Sequence, residues 1–118
     1  MKTAQDLYAE ARKRVSEVTA RETLDRMASG EPIVLIDIRE QNEWNLGHAE
    51  GAKYIGRGVL EREIEAQVPR EAQVVLYCAN GNRSLLGALT LADMGYTNVS
   101  SMSAGFRDWV AQGGAVED

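Results

Sequence analysis

The stretch VVLYCANGNRSLLGALTLADMG, residues 74–95, determines the fold class of this 118-residue chain. It begins with a continuous β-branched and apolar run, which is typical of a strand buried on both faces of a parallel sheet. Small and turn-forming residues follow at positions 78–84. The apolar segment after them predicts a helix over about residues 83–94, ended by Gly95. Strand, tight loop and helix in this order indicate an α/β fold.

The rest of the chain repeats this alternation. Residues 33–36, Ile-Val-Leu-Ile, predict a second strand buried on both faces, and Asp37 directly follows it. Thr19 and Glu22 have the spacing of a capping box at the start of a helix. Further helices are expected at 3–15, 20–28, 41–46, 59–67 and 106–110, and short strands at 54–55 and 99–102. The sequence therefore predicts a mostly parallel sheet flanked by helices.

Composition excludes several classes of function. The net charge of −5 argues against general binding to nucleic acid or to a membrane surface, since both need basic patches. No apolar stretch approaches the ~20 residues of a membrane span, and the N-terminus lacks the apolar segment of a signal peptide. One cysteine and one histidine provide no metal-ligand cluster and no internal disulfide. We expect a cytoplasmic protein without a cofactor.

Cys78, the only cysteine, stands where a site is expected, because ligands bind at the C-terminal ends of strands in such sheets. The small residues after it allow successive backbone N–H groups to form an anion nest. The N-terminus of the next helix and Arg83 add positive charge beside the thiol. A free cysteine is often an inert core residue. The combination of strand, small-residue loop, arginine and helix favours a reactive thiolate instead.

Three segments of the chain together resemble the rhodanese-like sulfurtransferases. Residues 78–84, CANGNRS, are similar to the active-site loop Cys-x-x-Gly-x-Arg of that family. The segments LIDIREQNEWNLGHAEGAKYIGRGVLE at 35–61 and MGYTNVSSMSAGFRDWV at 94–110 resemble its regions before and after the loop. The resemblance implies a five-stranded sheet. It also divides the chain into a helical extension, a rhodanese domain and a tail expected to fray, at residues 1–15, 16–112 and 113–118.

The resemblance also implies a chemistry. Cys78 would be the nucleophile that carries a sulfane sulfur as a persulfide, and Arg83 would orient and charge the loop. The donor would be thiosulfate, a polysulfide or a protein persulfide, and the acceptor cyanide or a thiol. The substrate-binding residues would be Ala79, Asn80, Gly81, Asn82 and Ser84 of the loop, with Arg57 as a holder of an anionic donor. An alternative is a carrier or partner-binding module with poor turnover on small donors.

Loop length argues against phosphatase activity. Phosphatases that share this fold have the longer loop Cys-x5-Arg, whereas Cys78 and Arg83 are separated by four residues. A shorter loop forms a smaller cradle, sized for one sulfur atom rather than a phosphate.

Several residues outside the loop have both a structural and a functional interpretation. Asp37 and Arg39 could shape the electrostatics of the site, but an ion pair that braces its wall is favoured. His48 could transfer protons near neutral pH, but a structural hydrogen bond is favoured. Glu50 and Ala104 depart from the proline and glycine that are common in the family, so the local turns there are in doubt.

Gly87 lies inside the helix predicted over residues 83–94, where glycine costs about 1 kcal/mol relative to alanine. We expect it to let this helix approach the sheet closely.

Overall fold

Five parallel strands form the central sheet of the computed structural model, which describes all 118 residues. The strands in chain order are β1 (Ser16–Val18), β2 (Ile33–Asp37), β3 (His48–Ala49), β4 (Lys53–Tyr54), β5 (Gln73–Tyr77), β6 (Val99–Met102) and β7 (Val116–Glu117). The central sheet has the order β1-β6-β5-β2-β4, with every neighbouring pair parallel. The predicted α/β fold with a five-stranded sheet is confirmed. β3 and β7 form a separate antiparallel pair.

Six helices flank the sheet. They are α1 (Ala4–Arg12), α2 (Ala20–Ala28), α3 (Gln41–Leu46), α4 (Leu60–Gln67), α5 (Asn82–Asp93) and α6 (Gly105–Ala111). The predicted capping box begins α2: Thr19 Oγ1 accepts a hydrogen bond from Glu22 N at 3.0 Å, and Thr19 N donates to Glu22 Oε1 at 3.0 Å. These hydrogen bonds hold the pKa of Glu22 below its ordinary value. None of the six helices is long and apolar enough to cross a membrane.

The register of β2 and β5 brings two strand ends together. Asp37, the last residue of β2, lies opposite Tyr77, the last residue of β5. Ile38 N then donates to Tyr77 O at 3.0 Å, so the segments that follow the two strands remain adjacent. This edge of the sheet therefore carries both Asp37 and Cys78, as the parallel arrangement predicts.

The core lies in two layers because successive side chains of a strand point to opposite faces. Ile36 and Leu76 face the layer that contains Leu60, Ile64 and Leu91 of α4 and α5. The opposite layer contains Leu35, Val75, Tyr77, Met102 and Trp109.

Gly87 lies where α5 crosses the sheet. A Cβ atom there would lie 3.2 Å from the Cδ1 atoms of both Ile38 and Leu76, and 3.4 Å from Leu60 Cδ2. The close approach of helix and sheet expected at this glycine is present.

The two ends of the chain differ from the sequence-based expectation. The first helix ends at Arg12 instead of residue 15, and residues 16–18 form the edge strand β1. The expectation of a frayed tail is wrong at Val116–Glu117, which pair with β3. Trp109 Nε1 also donates to Ala115 O at 2.9 Å and anchors the turn before β7. Whether residues 1–15 and 113–118 are functionally separate from the domain stays a prediction.

Candidate active site

The loop that follows β5 is held against the start of α6. Phe106 N donates to Cys78 O at 2.8 Å, and Arg107 N donates to Ala79 O at 3.3 Å. The loop and the start of α6 approach so closely at Gly105 that a Cβ atom there would lie only 2.3 Å from Cys78 O. Gly105 also has a φ of 53°, in the region that favours glycine. The backbone of the loop is therefore fixed on one side by its contact with α6.

The sulfur of Cys78 points into the loop. Its Sγ accepts hydrogen bonds from Gly81 N at 3.2 Å and from Ser84 N at 3.4 Å, and the residue is only 1% exposed. Gly81 has a φ of 93°, the positive value that the predicted tight cradle requires. The cradle thus presents two amide donors to the sulfur. Asn82 N donates instead to Asn80 Oδ1 at 3.2 Å, and the side chains of Ala79 and Asn80 are exposed.

A pair of buried hydroxyl groups lies behind the sulfur. Ser84 Oγ is 3.5 Å from Cys78 Sγ, donates to Gly81 O at 3.2 Å, and lies 2.7 Å from Ser101 Oγ. Either hydroxyl group can be the donor in the bond between the two serines. Both serines have no exposed surface. The sequence did not single out Ser101, because only the packing of β6 against α5 brings it near the loop.

Arg83 lies at the surface and makes no hydrogen bond to Sγ. Its Nη2 pairs with Glu40 Oε1 at 3.1 Å, and both side chains are exposed, by 45% and 67%. Such a pair contributes little to stability. The structure therefore places the charge of Arg83 at the start of α5, while backbone amides contact the sulfur.

Arg57 is held away from the loop. Its guanidinium donates to Glu61 Oε1 at 2.9 Å and to Thr90 Oγ1 at 3.3 Å. Thr90 follows Ser84 on α5 by about 9 Å along the helix axis. The structure does not bring Arg57 into contact with Cys78.

Asp37, Arg39 and Tyr77 form a buried cluster beside the loop. Arg39 Nη2 and Nε lie 2.8 and 3.0 Å from Asp37 Oδ2, and Tyr77 Oη donates to the same oxygen at 2.7 Å. Arg39 Nη2 also donates to Gly47 O at 2.7 Å, and its guanidinium lies 4.2 Å from the ring centroid of Phe106. The predicted ion pair between Asp37 and Arg39 is present, and it braces the wall of the site.

Burial and pairing have opposing effects within this cluster. Burial lowers the pKa of Arg39, but the hydrogen bonds and charge of Asp37 outweigh it, so the net shift is upward and the guanidinium stays charged. Burial, followed by the hydrogen bond to Asp37, raises the pKa of Tyr77 far above its ordinary value. Tyr77 therefore remains a hydrogen-bond donor.

His48 makes the structural hydrogen bond that was favoured for it. Its Nδ1 lies 3.0 Å from Trp44 O, and its ring stacks on the Trp44 ring with centroids 3.4 Å apart. Its Nε2 lies 3.8 Å from Glu117 Oε1 of β7. His48 thus joins α3 to the C-terminal strand.

The two departures from the family pattern have distinct structural settings. Glu50 N donates to Ala115 O at 2.9 Å, a hydrogen bond that proline could not make. Ala104 has a φ of 58° and is the only residue other than glycine with a positive φ. It occupies a tight place, because a Cβ atom on Gly81 would lie 2.8 Å from Ala104 N. The departure at Glu50 therefore supports the pairing of the tail, while that at Ala104 imposes local strain.

A cavity of about 280 Å³ opens between the loop and α6. Its lining consists of Asn80, Ala104, Arg107, Asp108 and Ala111. Cys78 is not part of the lining, but Asn80 lies only two residues after it.

Comparison with known proteins agrees with this geometry. A model of the rhodanese-like domain family matches residues 19–112. The thiosulfate sulfurtransferase GlpE of Ectopseudomonas mendocina is 31% identical over 99 residues, which cover 84% of this chain and 85% of that protein. The probable adenylyltransferase/sulfurtransferase MoeZ of Mycobacterium tuberculosis is 32% identical over 98 residues. That match covers 82% of this chain but 25% of the relative, so the chain spans about a quarter of its length.

A solved structure from Rhodopseudomonas palustris has nearly the same extent. It superposes with a TM-score of 0.90 at 32% identity and covers 99% of this chain and 96% of that chain. That protein is described as of unknown function and a possible tyrosine phosphatase. The similarity therefore includes the N-terminal helix and the C-terminal strand.

Proposed function

The chain belongs to the rhodanese-like domain family, and from that premise we propose that it is a sulfurtransferase that carries a sulfane sulfur on Cys78. The donor is thiosulfate, a polysulfide or a persulfide, and the acceptor is cyanide or a thiol. We propose the cytoplasm as its setting, because reducing compartments keep acceptor thiols free.

The observation that supports this proposal best is the pair of amides aimed at the sulfur. Gly81 N and Ser84 N donate to Sγ at 3.2 and 3.4 Å, and Cys78 is only 1% exposed. Hydrogen bonds from fixed amides favour an anion over a neutral group. A thiolate and a persulfide anion both present such a charge, so the same donors serve both forms of the cysteine.

The reaction consists of two displacements at sulfur. The Cys78 thiolate attacks the outer sulfur of thiosulfate, a bond forms between the two sulfurs, and sulfite leaves with the electron pair of the broken S–S bond. In the second step cyanide attacks the outer sulfur of the persulfide, and the Cys78 thiolate leaves as thiocyanate forms. Each step conserves charge and needs no external oxidant or reductant.

Ser84 has a role in this scheme that depends on Ser101. When the thiol loses its proton, the Ser84 hydroxyl can turn from Gly81 O towards Sγ, 3.5 Å away, and donate to the anion. Because Ser84 then uses its one proton for the sulfur, Ser101 donates to Ser84 Oγ, which strengthens Ser84 as a donor. Ser101 is thus a positioning residue that acts through Ser84.

A tyrosine phosphatase is the second candidate, because the Rhodopseudomonas palustris protein carries that description. Two features of this chain count against it. The loop is one residue shorter than Cys-x5-Arg, and the Arg83 guanidinium pairs with Glu40 at the surface, where it does not contact the sulfur. A bound phosphate requires that cation at the loop.

Steady-state assays separate the candidates. We expect the protein to form thiocyanate from thiosulfate or polysulfide and cyanide, and Cys78→Ser to lose about a thousandfold or more of that activity, since a serine cannot form the persulfide. The serine variant should keep the unfolding midpoint of the parent.

Three outcomes would contradict this assignment. Full activity of the serine variant would refute the role of Cys78. Hydrolysis of an aryl phosphate without thiocyanate formation would favour the phosphatase. Neither activity in the parent protein would favour the carrier or partner-binding module.

A further inference from the structure

We propose that the cavity beside the loop binds the sulfur acceptor, and that this acceptor is a small thiol that carries both a carboxylate and an ammonium group. The inference rests on the proposed sulfurtransferase function and names the acceptor class for it. Its chemical basis is the pair of charged residues, Arg107 and Asp108, that line a cavity adjoining the cysteine loop.

Arg107 is a cation without a protein partner. Its side chain makes no ion pair, no hydrogen bond and no cation–π contact, and the residue is exposed. The other arginines beside the loop are occupied, Arg83 by Glu40 and Arg39 by Asp37. Arg107 is therefore the one guanidinium beside the loop that is free to bind a carboxylate, for which its geometry is suited.

Asp108 supplies the opposite charge. Only its Oδ1 is engaged, by a 3.3 Å hydrogen bond from the exposed Gln112. A second free carboxylate oxygen is thus available to an ammonium group. A dianion such as thiosulfate would meet repulsion from Asp108, whereas a zwitterion satisfies both side chains. This favours an amino-acid-like acceptor over an anionic donor.

The size and position of the cavity suit this ligand. Its volume of about 280 Å³ lies near the lower end of the range for small-molecule sites, and it is much larger than cyanide requires. Its wall includes Asn80 of the loop and Ala104, whose N lies against Gly81. Arg107 N also bonds to Ala79 O, so the charged wall and the loop are fixed relative to one another.

The transfer step is balanced. The acceptor thiol loses its proton to solvent, and its thiolate attacks the outer sulfur of the Cys78 persulfide. The S–S bond on Cys78 breaks, the electron pair returns to the Cys78 thiolate, and the acceptor leaves as its own persulfide.

Four acceptors test the charges separately: cysteine has both groups, 3-mercaptopropionate has the carboxylate alone, cysteamine has the ammonium alone, and 2-mercaptoethanol has neither. For each, the kcat/KM of a variant is divided by that of the parent protein, so the intrinsic reactivity of the thiol cancels. The 2-mercaptoethanol ratio sets the reference. We expect Arg107→Gln to lower the ratios for cysteine and 3-mercaptopropionate about threefold to fivefold below it, as for an exposed ion pair. Asp108→Asn should lower those for cysteine and cysteamine.

Arg62→Gln is the matched control. Arg62 lies on α4, its side chain is 75% exposed, and it contacts only its neighbour Glu63. Arg62→Gln removes the same charge as Arg107→Gln, and its ratios for the four acceptors should be equal. Equal ratios in Arg107→Gln as well would overturn the inference, and so would an effect of Arg107→Gln confined to loading by thiosulfate.

A binding measurement remains informative if sulfur transfer itself fails. S-Methylcysteine, which cannot accept sulfur, is titrated into the Cys78→Ser variant and followed by amide NMR. We expect saturable changes in the amide chemical shifts of Asn80 and Ala111. These changes should weaken when Arg107→Gln is combined with Cys78→Ser. If these shift changes are absent, the proposed acceptor site is wrong. If the parent protein forms no thiocyanate, only the sulfurtransferase proposal is contradicted.

Discussion

The ends of β2 and β5 lie side by side, yet the polar groups that follow them are satisfied in different ways. At the end of β2, the charges of Asp37 and Arg39 are buried against each other, and Tyr77 donates a hydrogen bond to Asp37. After β5, the sulfur of Cys78 is as deeply buried, but it faces two amides and a hydroxyl. The first arrangement is complete without a ligand. The second retains donors that an added anionic sulfur can use, and we therefore propose that the chemistry takes place at the end of β5 and that the end of β2 supports it.

The largest effect is expected from breaking the cluster after β2. Asp37→Asn leaves Arg39 charged and buried without its partner, and we expect it to lower the free energy of unfolding by about 3–5 kcal/mol. Asp93→Asn is the matched control, because Asp93 pairs with Arg14 at 2.6 Å while both side chains are more than half exposed. It should cost no more than about 1 kcal/mol. Equal losses by urea denaturation would show that the cluster is no more than a surface pair.

The cluster also predicts how stability depends on alkaline pH. The pKa of Tyr77 is raised in the folded state, so its proton is retained while an unfolded tyrosine ionises near pH 10. Its contribution to stability is therefore present below about pH 10 and is lost as the pH rises above it. Tyr77→Phe should make the decline between pH 9 and 11 shallower, by at most about 1.4 kcal/mol per pH unit. An unchanged slope would contradict the burial of this hydroxyl.

A smaller effect is expected where the backbone of the cradle meets the turn before α6. Ala104 has a left-handed backbone, which costs a residue with a Cβ atom about 1–2 kcal/mol. The entropy that glycine loses on folding, about 0.5–1 kcal/mol, offsets part of this strain, so Ala104→Gly should raise the free energy of unfolding by about 0.5–1 kcal/mol. Ala9→Gly, at an exposed position inside α1, is the control and should lower stability by about 1 kcal/mol. A loss in both variants would show that Ala104 is not strained.

The smallest effect sharpens the role of the hydroxyl pair. Ser101→Ala removes the donor to Ser84, so the rate of Cys78 alkylation by iodoacetamide below pH 8 should fall about twofold to threefold. The plateau at high pH should be unchanged, which a loss of folding would not produce. Ser100→Ala, one residue earlier on β6 and outside the network, is the control. Identical pH profiles of the alkylation rate in the two variants would contradict a role of Ser101 in positioning Ser84.

The sequence predicted the parts of the fold that local patterns determine. The apolar runs of β2 and β5 and the long apolar segment of α5 are evident from their neighbours in the chain. The strand β1 is only Ser-Glu-Val, and it exists because it pairs with β6 at the edge of the sheet. The pairing of β7 with β3 joins residues nearly seventy positions apart, and no local pattern indicates it.

The same limit applies to the site. The tight turn after β5 and the positive φ of Gly81 were predictable, because a turn of small residues after a strand has few structural solutions; the role of Cys78 stays a prediction. Ser101 and the free guanidinium of Arg107 were not, since their positions depend on how β6 and α6 pack against the loop. Arg83 was expected to act on the loop, and only its ion pair with Glu40 shows where its charge lies.

Intact mass spectrometry is the most direct test of whether Cys78 carries sulfur. The purified protein is measured before and after incubation with thiosulfate or polysulfide, and again after cyanide is added, beside the Cys78→Ser variant. We predict a gain of one sulfur atom that cyanide removes and that the serine variant never shows. No gain with either donor, or an equal gain in the serine variant, would contradict a persulfide carried by Cys78.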